Sequence, residues 1–162
     1  MRASAKVAEL TREDLEKCVG KAVLLLPVGA TEQHGPHLPV GTDTFIAEAV
    51  CELVAMKVAD ALILPSLPYS YSWVWRDIPV SPTLSVGLFE ALVKELLVSL
   101  DRFGPKGIVV VNGHLANANP LKYAVREASD SVRSKILFFS YPGLERFQTE
   151  SERSSLTVHA EE

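Results

Sequence analysis

The stretch Lys21–Asp60, "KAVLLLPVGATEQHGPHLPVGTDTFIAEAVCELVAMKVAD", decides the fold. It opens on a continuous apolar run ending in Pro27, Val28 and Gly29, the pattern of a buried parallel strand. From Thr42 onward Ile46, Ala49, Val50, Leu53 and Val54 recur at helical period, with Thr42 or Asp43 at the N-cap. Between strand and helix lies a loop rich in Gly and Pro that carries Glu32, His34 and His37, with Asp43 opening the helix. Charged and imidazole side chains placed directly after a buried strand need partners, and a cation is one such partner.

Working outward, the same unit repeats. "LTREDLEKCVG" reads as a short helix with Thr11 as N-cap and Asp14 at the box position three residues on. "ALILPSL" is a second strand, and "YSYSWVWRDIPVSPT" a loop dense in aromatics, Ser and Pro. "SVGLFEALVKELLVSLDRFG" is a long helix closed by Gly104-Pro105, "GIVVVNGH" a third strand, "NANPLKYAVREASD" a third long helix and "SKILFFSYPG" a fourth strand. Strands alternating with helices predict an α/β fold, a mostly parallel sheet with helices on both faces. Residues 1–162 are expected to form a single domain.

Composition narrows the function classes. Hydrophobic residues make up 48% and charged residues 22% of 162 residues, which is ordinary for a globular domain with a real core. The net charge is −4 with no basic stripe, which argues against nucleic acid as a partner. The apolar runs are too short to cross a bilayer, so no membrane association is expected. Cys18 and Cys51 lie in separate helical segments without metal or redox spacing, which fits a reducing, cytoplasmic setting. The first strand–helix turn has neither a G-x-G-x-x-G nor a Walker pattern, which disfavours a nucleotide-binding module.

Topology then gathers the polar residues. In an open parallel sheet, ligands bind beyond the carboxyl ends of the strands. Glu32 and His34 follow the first strand, Asp43 opens the next helix, and His114 follows the third strand. All four are therefore expected on one rim. Taken singly each has a plainer reading: His114 as a turn residue, Asp43 as a helix cap, Glu32 as a solvated carboxylate. His37, between two prolines, reads as a packing or supporting residue. Two carboxylates with two imidazoles suit Zn²⁺ or Mn²⁺, with Fe as a further option, better than Ca²⁺ or Mg²⁺. They are about the minimum for a two-ion site with room for water, hence about two ions per chain. The aromatic cluster Tyr69, Tyr71, Trp73 and Trp75 reads as a core cap or subunit contact ahead of a substrate wall.

"LLPVGATEQHGPHLPVGTD" closely resembles the first signature of the creatininase (creatinine amidohydrolase) family. "VVVNGHLANANPL" is similar to the second, an Asn-Gly-His-Gly-Gly-Asn type of loop, and "VHAEE" resembles the start of a third, His-Ala-Gly-Glu-like motif. The resemblance implies a three-layer α/β/α fold and a metal-dependent amidohydrolase, often hexameric, that cleaves C–N bonds of cyclic or formyl amides through a metal-bound hydroxide. It implies Glu32, His34, Asp43 and His114 as metal ligands, Asp43 bridging, with Glu162 as a further ligand and His159 as the catalytic proton donor. Together with the aromatic cluster, the resemblance implies a homo-oligomer. Two departures stand out. Leu115-Ala116 replaces the glycine pair, and Ala116 stands where creatininase proper supplies a metal-binding Glu, which argues against creatinine as substrate. The third motif is also cut short, so the resemblance places part of the family fold beyond Glu162. The alternative is a catalytically degenerate subunit or binding protein on the same fold.

Overall fold

A computed structural model describes residues 4–140. Four parallel strands form one sheet: β1 (Val23–Val28), β2 (Ala61–Ile63), β3 (Gly107–Asn112) and β4 (Lys135–Ser140), in the order β2-β1-β3-β4. Four α-helices flank it: α1 (Arg12–Cys18), α2 (Thr42–Lys57), α3 (Val86–Asp101) and α4 (Ala118–Ser129). The expected α/β architecture with helices on both faces is what the chain adopts.

Side-chain alternation along β1 sorts the core into two layers. Leu24, Leu26 and Val28 pack with Phe89, Val93 and Leu97 of α3 and Leu121, Ala124 and Ala128 of α4. Leu25 points the other way and packs with Cys51 of α2, together with Ile63 and Val111. The α3 contacts fall four residues apart, one stripe of a helix. Phe89 is fully buried in that stripe, and burying such a ring contributes roughly 2–3 kcal/mol. Among the described residues no helix is long and apolar enough to cross a membrane.

Pro27 lacks an N–H yet sits in a central strand. Its carbonyl accepts from Leu67 N at 2.9 Å, so its ring nitrogen faces the β2 side. There β2 has already ended at Ile63, and no ladder bond is lost. The second strand is thus shorter than the apolar run "ALILPSL" suggested, continuing only as an isolated bridge from Val28 to Leu67.

Helix starts also differ in detail. Thr11 caps α1 through a reciprocal box with Asp14, as expected. Neither Thr42 nor Asp43 caps α2: Gly41 is the N-cap, and it makes no side-chain hydrogen bond. Asp43 lies inside the first turn, leaving its carboxylate free for other partners. The positive end of the helix dipole stabilises a carboxylate there.

The strand order reverses direction at β1. The chain leaves β1 for β2 on one side and returns to β3 on the other. The crevice between the carboxyl ends of β1 and β3 is the topological switch point, where open α/β sheets bind ligands.

Candidate metal centre

Two glycines bring the first turn of α2 into that crevice. A Cβ on Gly29, just after β1, would overlap the Thr44 backbone, and a Cβ on Gly113, just after β3, would overlap the Asp43 carbonyl oxygen. The helix is clamped between two loops that have no side chain in the way. The loops are tied across the crevice as well: Gly113 N donates to Val28 O at 2.9 Å, and Asn117 Nδ2 and Ser70 Oγ both donate to Gly29 O, at 3.0 and 2.7 Å. Asn112 closes the β3 turn by accepting from His114 N and donating to His114 O.

The result is a buried cluster. Glu32 is 2% exposed, Asp43 6% and His114 6%. One ligand atom from each lies within 4.8 Å of the others. His34 joins through Nε2, 3.1 Å from Asp43 Oδ1. His114 Nδ1 stands 2.9 Å from Asp43 Oδ2 and 3.4 Å from Glu32 Oε1. The four residues read from topology are thus brought together, and Glu32 is not the solvated carboxylate it resembles in isolation. His37 is exposed and does not line the site. His159 and Glu162 lie outside the described residues.

The two imidazoles share one logic. His34 Nδ1 lies 3.2 Å from the Glu32 carbonyl oxygen, and His114 Nε2 lies 3.1 Å from the Tyr71 carbonyl oxygen. A carbonyl only accepts, so each of these nitrogens carries the hydrogen. The other nitrogen of each ring is aimed at a different oxygen of Asp43. A ring pinned in this way presents its second nitrogen either as an imidazolium donor or as a lone pair for a cation.

Electrostatics fit that description. The hydrogen bond to Asp43 raises the His34 pKa to about 9 against the opposing effect of burial. Burial pushes His114 down, but the Asp43 hydrogen bond and the Glu32 and Asp43 charges outweigh it and raise its pKa. Burial pushes Asp43 up, and the bonds from His114 and His34 outweigh that and lower it. The Asp43 Oδ2 atom has the close ionic contact with His114 Nδ1 at 2.9 Å but no well-directed hydrogen-bond donor. A buried carboxylate oxygen without an aligned donor, beside a second carboxylate, is a setting that a cation satisfies. The donor set of two carboxylates and two imidazoles fits Zn²⁺ or Mn²⁺.

The loop after β2 supplies what sequence reasoning missed. Ser72 is buried and its Oγ donates to Glu32 Oε2. Tyr71 offers the carbonyl that orients His114. Neither has a spacing signal, although "YSYSW" alternates small polar residues with aromatics at the rim where a site is expected. The same loop lines a cavity of about 380 Å³ above the cluster with Tyr71, Trp73 and Trp75. Tyr71 packs against the core and Trp75 is buried, as a core cap would be, and both also line the cavity with Trp73, so the core-cap and wall readings hold together; Tyr69 is exposed and lies off the wall.

Comparison with known proteins identifies the family. A family described as Creatininase, creatinine amidohydrolase, matches residues 8–162. The chain is 36% identical over 125 residues to a creatinine amidohydrolase of Pseudomonas putida, covering 73% of this chain and 48% of that protein. It is 38% identical over 108 residues to a mycofactocin precursor peptide peptidase of Mycolicibacterium smegmatis, covering 64% and 43%. Among solved structures, a manganese creatininase superposes with a TM-score of 0.77 at 32% identity, covering 85% of this chain and 58% of that one. A mutant creatininase of Zn-Zn type superposes with 0.79 at 28% identity, covering 99% and 66%. The chain spans about half the length of the curated relatives it matches. With the family matched over nearly its whole length, this chain belongs to the creatininase family.

Proposed function

We propose that this protein is a metal-dependent amidohydrolase that cleaves a C–N bond of a cyclic amide or formamide. The observation that carries the reading is the paired pinning of His34 and His114, each held by a backbone carbonyl on one nitrogen and directed to a different oxygen of Asp43 on the other. Glu32, His34, Asp43 and His114 would hold Zn²⁺ or Mn²⁺, and a donor set of two carboxylates and two imidazoles suits about two ions per chain. When bound, such ions supply a Lewis acid and lower the pKa of water toward neutrality.

The chain's own residues do the rest. Ser72 holds the Glu32 carboxylate in place, and Tyr71 fixes the ring of His114. In the overall reaction a C–O bond to water forms, the C–N bond breaks, and the leaving nitrogen takes a proton. On the family resemblance His159 is the donor of that proton and Glu162 a further ligand. The same resemblance, and the exposure of Phe45, Leu53 and Met56 on the outer face of α2, support a homo-oligomer, a hexamer on the family pattern. Ala116 in the cavity wall favours the second reading, a catalytically degenerate subunit that binds without cleaving.

The test is the metal content of protein purified without added metal, followed by an assay of amide hydrolysis read by chromatography. Creatinine and other cyclic amides would be followed as their ring-opened products and simple formamides as formate and amine, with Zn²⁺ or Mn²⁺ supplied. Bound metal with metal-dependent hydrolysis supports the hydrolase. Bound metal without hydrolysis of any amide favours the degenerate subunit, and absence of bound metal contradicts both.

A further inference from the structure

The floor of the cavity is polar and its walls are not. Above Glu32, Asp43 and the two imidazoles stand Leu38, Ile46, Trp73, Val74, Leu115 and Ala116, drawn from the loops that follow β1, β2 and β3 and from α2. No Lys or Arg lines it among the described residues. Arg76 is near in sequence, but its guanidinium lies over the Trp73 ring at 4.9 Å, donates to Trp73 O at 3.0 Å and pairs with Asp77. Its charge is engaged outside the cavity. Leu38, Trp73 and Val74 remain 46%, 50% and 57% exposed, so the mouth carries apolar surface still open to water. A contiguous apolar wall directly above a reactive floor is what an apolar substituent would cover.

We propose that this site takes an uncharged amide bearing an aliphatic or aromatic side group, and that Trp73, Val74 and Leu115 read that group. The proposal rests on the amidohydrolase reading for the bond cleaved. A phosphorylated or carboxylated substrate would find no cationic side chain on the wall formed by the described residues and would lose hydration there without compensation. A substrate without a side group would leave the wall wet.

The chain holds two tryptophans, Trp73 and Trp75, and both line the cavity. Their fluorescence therefore reports occupancy without turnover. The zinc-loaded full chain would be titrated with the N-acetyl amides of glycine, leucine, phenylalanine and aspartate. Burial of a Leu- or Phe-sized group predicts binding about 10- to 100-fold tighter than for the glycine compound, with the aspartate compound weakest. Val74→Ser, at an exposed position, should shrink that preference to less than about threefold, and Leu115→Ala should reduce it partway. Equal affinities across the series, tightest binding of the aspartate compound, or no saturable change with any of them would overturn the proposal. Amine release from the same compounds separates the two readings. Cleavage without apolar preference defeats this inference and leaves the hydrolase, whereas apolar preference with no cleavage of these compounds or of creatinine, formamides and cyclic amides upholds this inference and favours the degenerate subunit.

Discussion

Asp43 and Asp101 sit at opposite edges of the same sheet, and both carboxyls are held below the usual carboxylate range. Their reasons differ. Asp101, at the end of α3, has its pKa lowered first by the Ser134 hydroxyl and then by the backbone donors Ser134 N at 2.8 Å and Arg133 N at 3.1 Å. Its partners are a hydroxyl and backbone amides, none of which titrates, and its work is to close the turn before β4 at the amino edge. Asp43 is buried at the carboxyl edge, its partners are two imidazoles that do titrate, and one of its oxygens lacks an aligned donor. A lowered carboxylate pKa is therefore not a sign of a site by itself. What distinguishes a site is which groups lower it, and whether they could hand the carboxylate to a cation.

The sharpest way to break the comparison is to remove the charge at each edge. Asp43→Asn keeps the shape but removes the anion that faces both imidazoles. It should weaken metal binding by more than about 100-fold, read by elemental analysis after dialysis. If Asp43→Asn keeps its metal while His34→Ala loses it, Asp43 does not lie between the ions.

Next in size is Ser72→Ala. It removes the hydroxyl that holds Glu32, and such supporting partners typically cost about 10- to 100-fold in metal affinity. Competition with a chelator measures it, with thermal melting of the metal-free protein as control. Unchanged affinity with a lowered melting temperature would make Ser72 a packing residue only.

A pH series sharpens the contrast further. The His34 pKa is raised from 6.5 to about 9 in the metal-free fold. Its contribution to stability is thus fully present below about pH 6.5 and is lost as pH rises through about 9. Metal must displace that proton, so apparent affinity should climb by up to about tenfold per pH unit across the same window and level off above it. A flat affinity from pH 6.5 to 9 would show that His34 carries no proton to displace.

The smallest effect belongs to Asp101→Asn. Its carboxylate is solvent-accessible and its partners are local, so a modest fall in melting temperature is expected and no change in metal affinity. A change in metal affinity there would mean the two edges are coupled.

Much of this contrast is legible in the sequence. The apolar run of β1, the helical period from Thr42 and the strand at "GIVVVNGH" fix the alternation, and the alternation alone carries Glu32, His34, Asp43 and His114 to one edge. What stays hidden is set by tertiary proximity. Ser72 meets Glu32 across 40 residues of chain, and its hydroxyl has no periodicity to betray it. The cap of α2 also misleads, because Thr and Asp are the commoner caps, yet Gly41 takes the position and releases Asp43 to the imidazoles. Glu32 looks solvated until the loop after β2 closes over it. The role of the aromatics is hidden for the same reason: a loop's direction over a sheet edge is decided by contacts that no local pattern encodes.

The most direct test of the metal centre is a calorimetric zinc titration of the metal-stripped full chain at pH 7, repeated in two buffers of different ionisation enthalpy. It counts ions and displaced protons together. The account predicts saturable binding of about two ions per chain with release of protons from the imidazoles, both abolished in Asp43→Asn. Saturable binding that survives Asp43→Asn with the same stoichiometry and proton release, or no saturable binding in the unaltered chain, would contradict it.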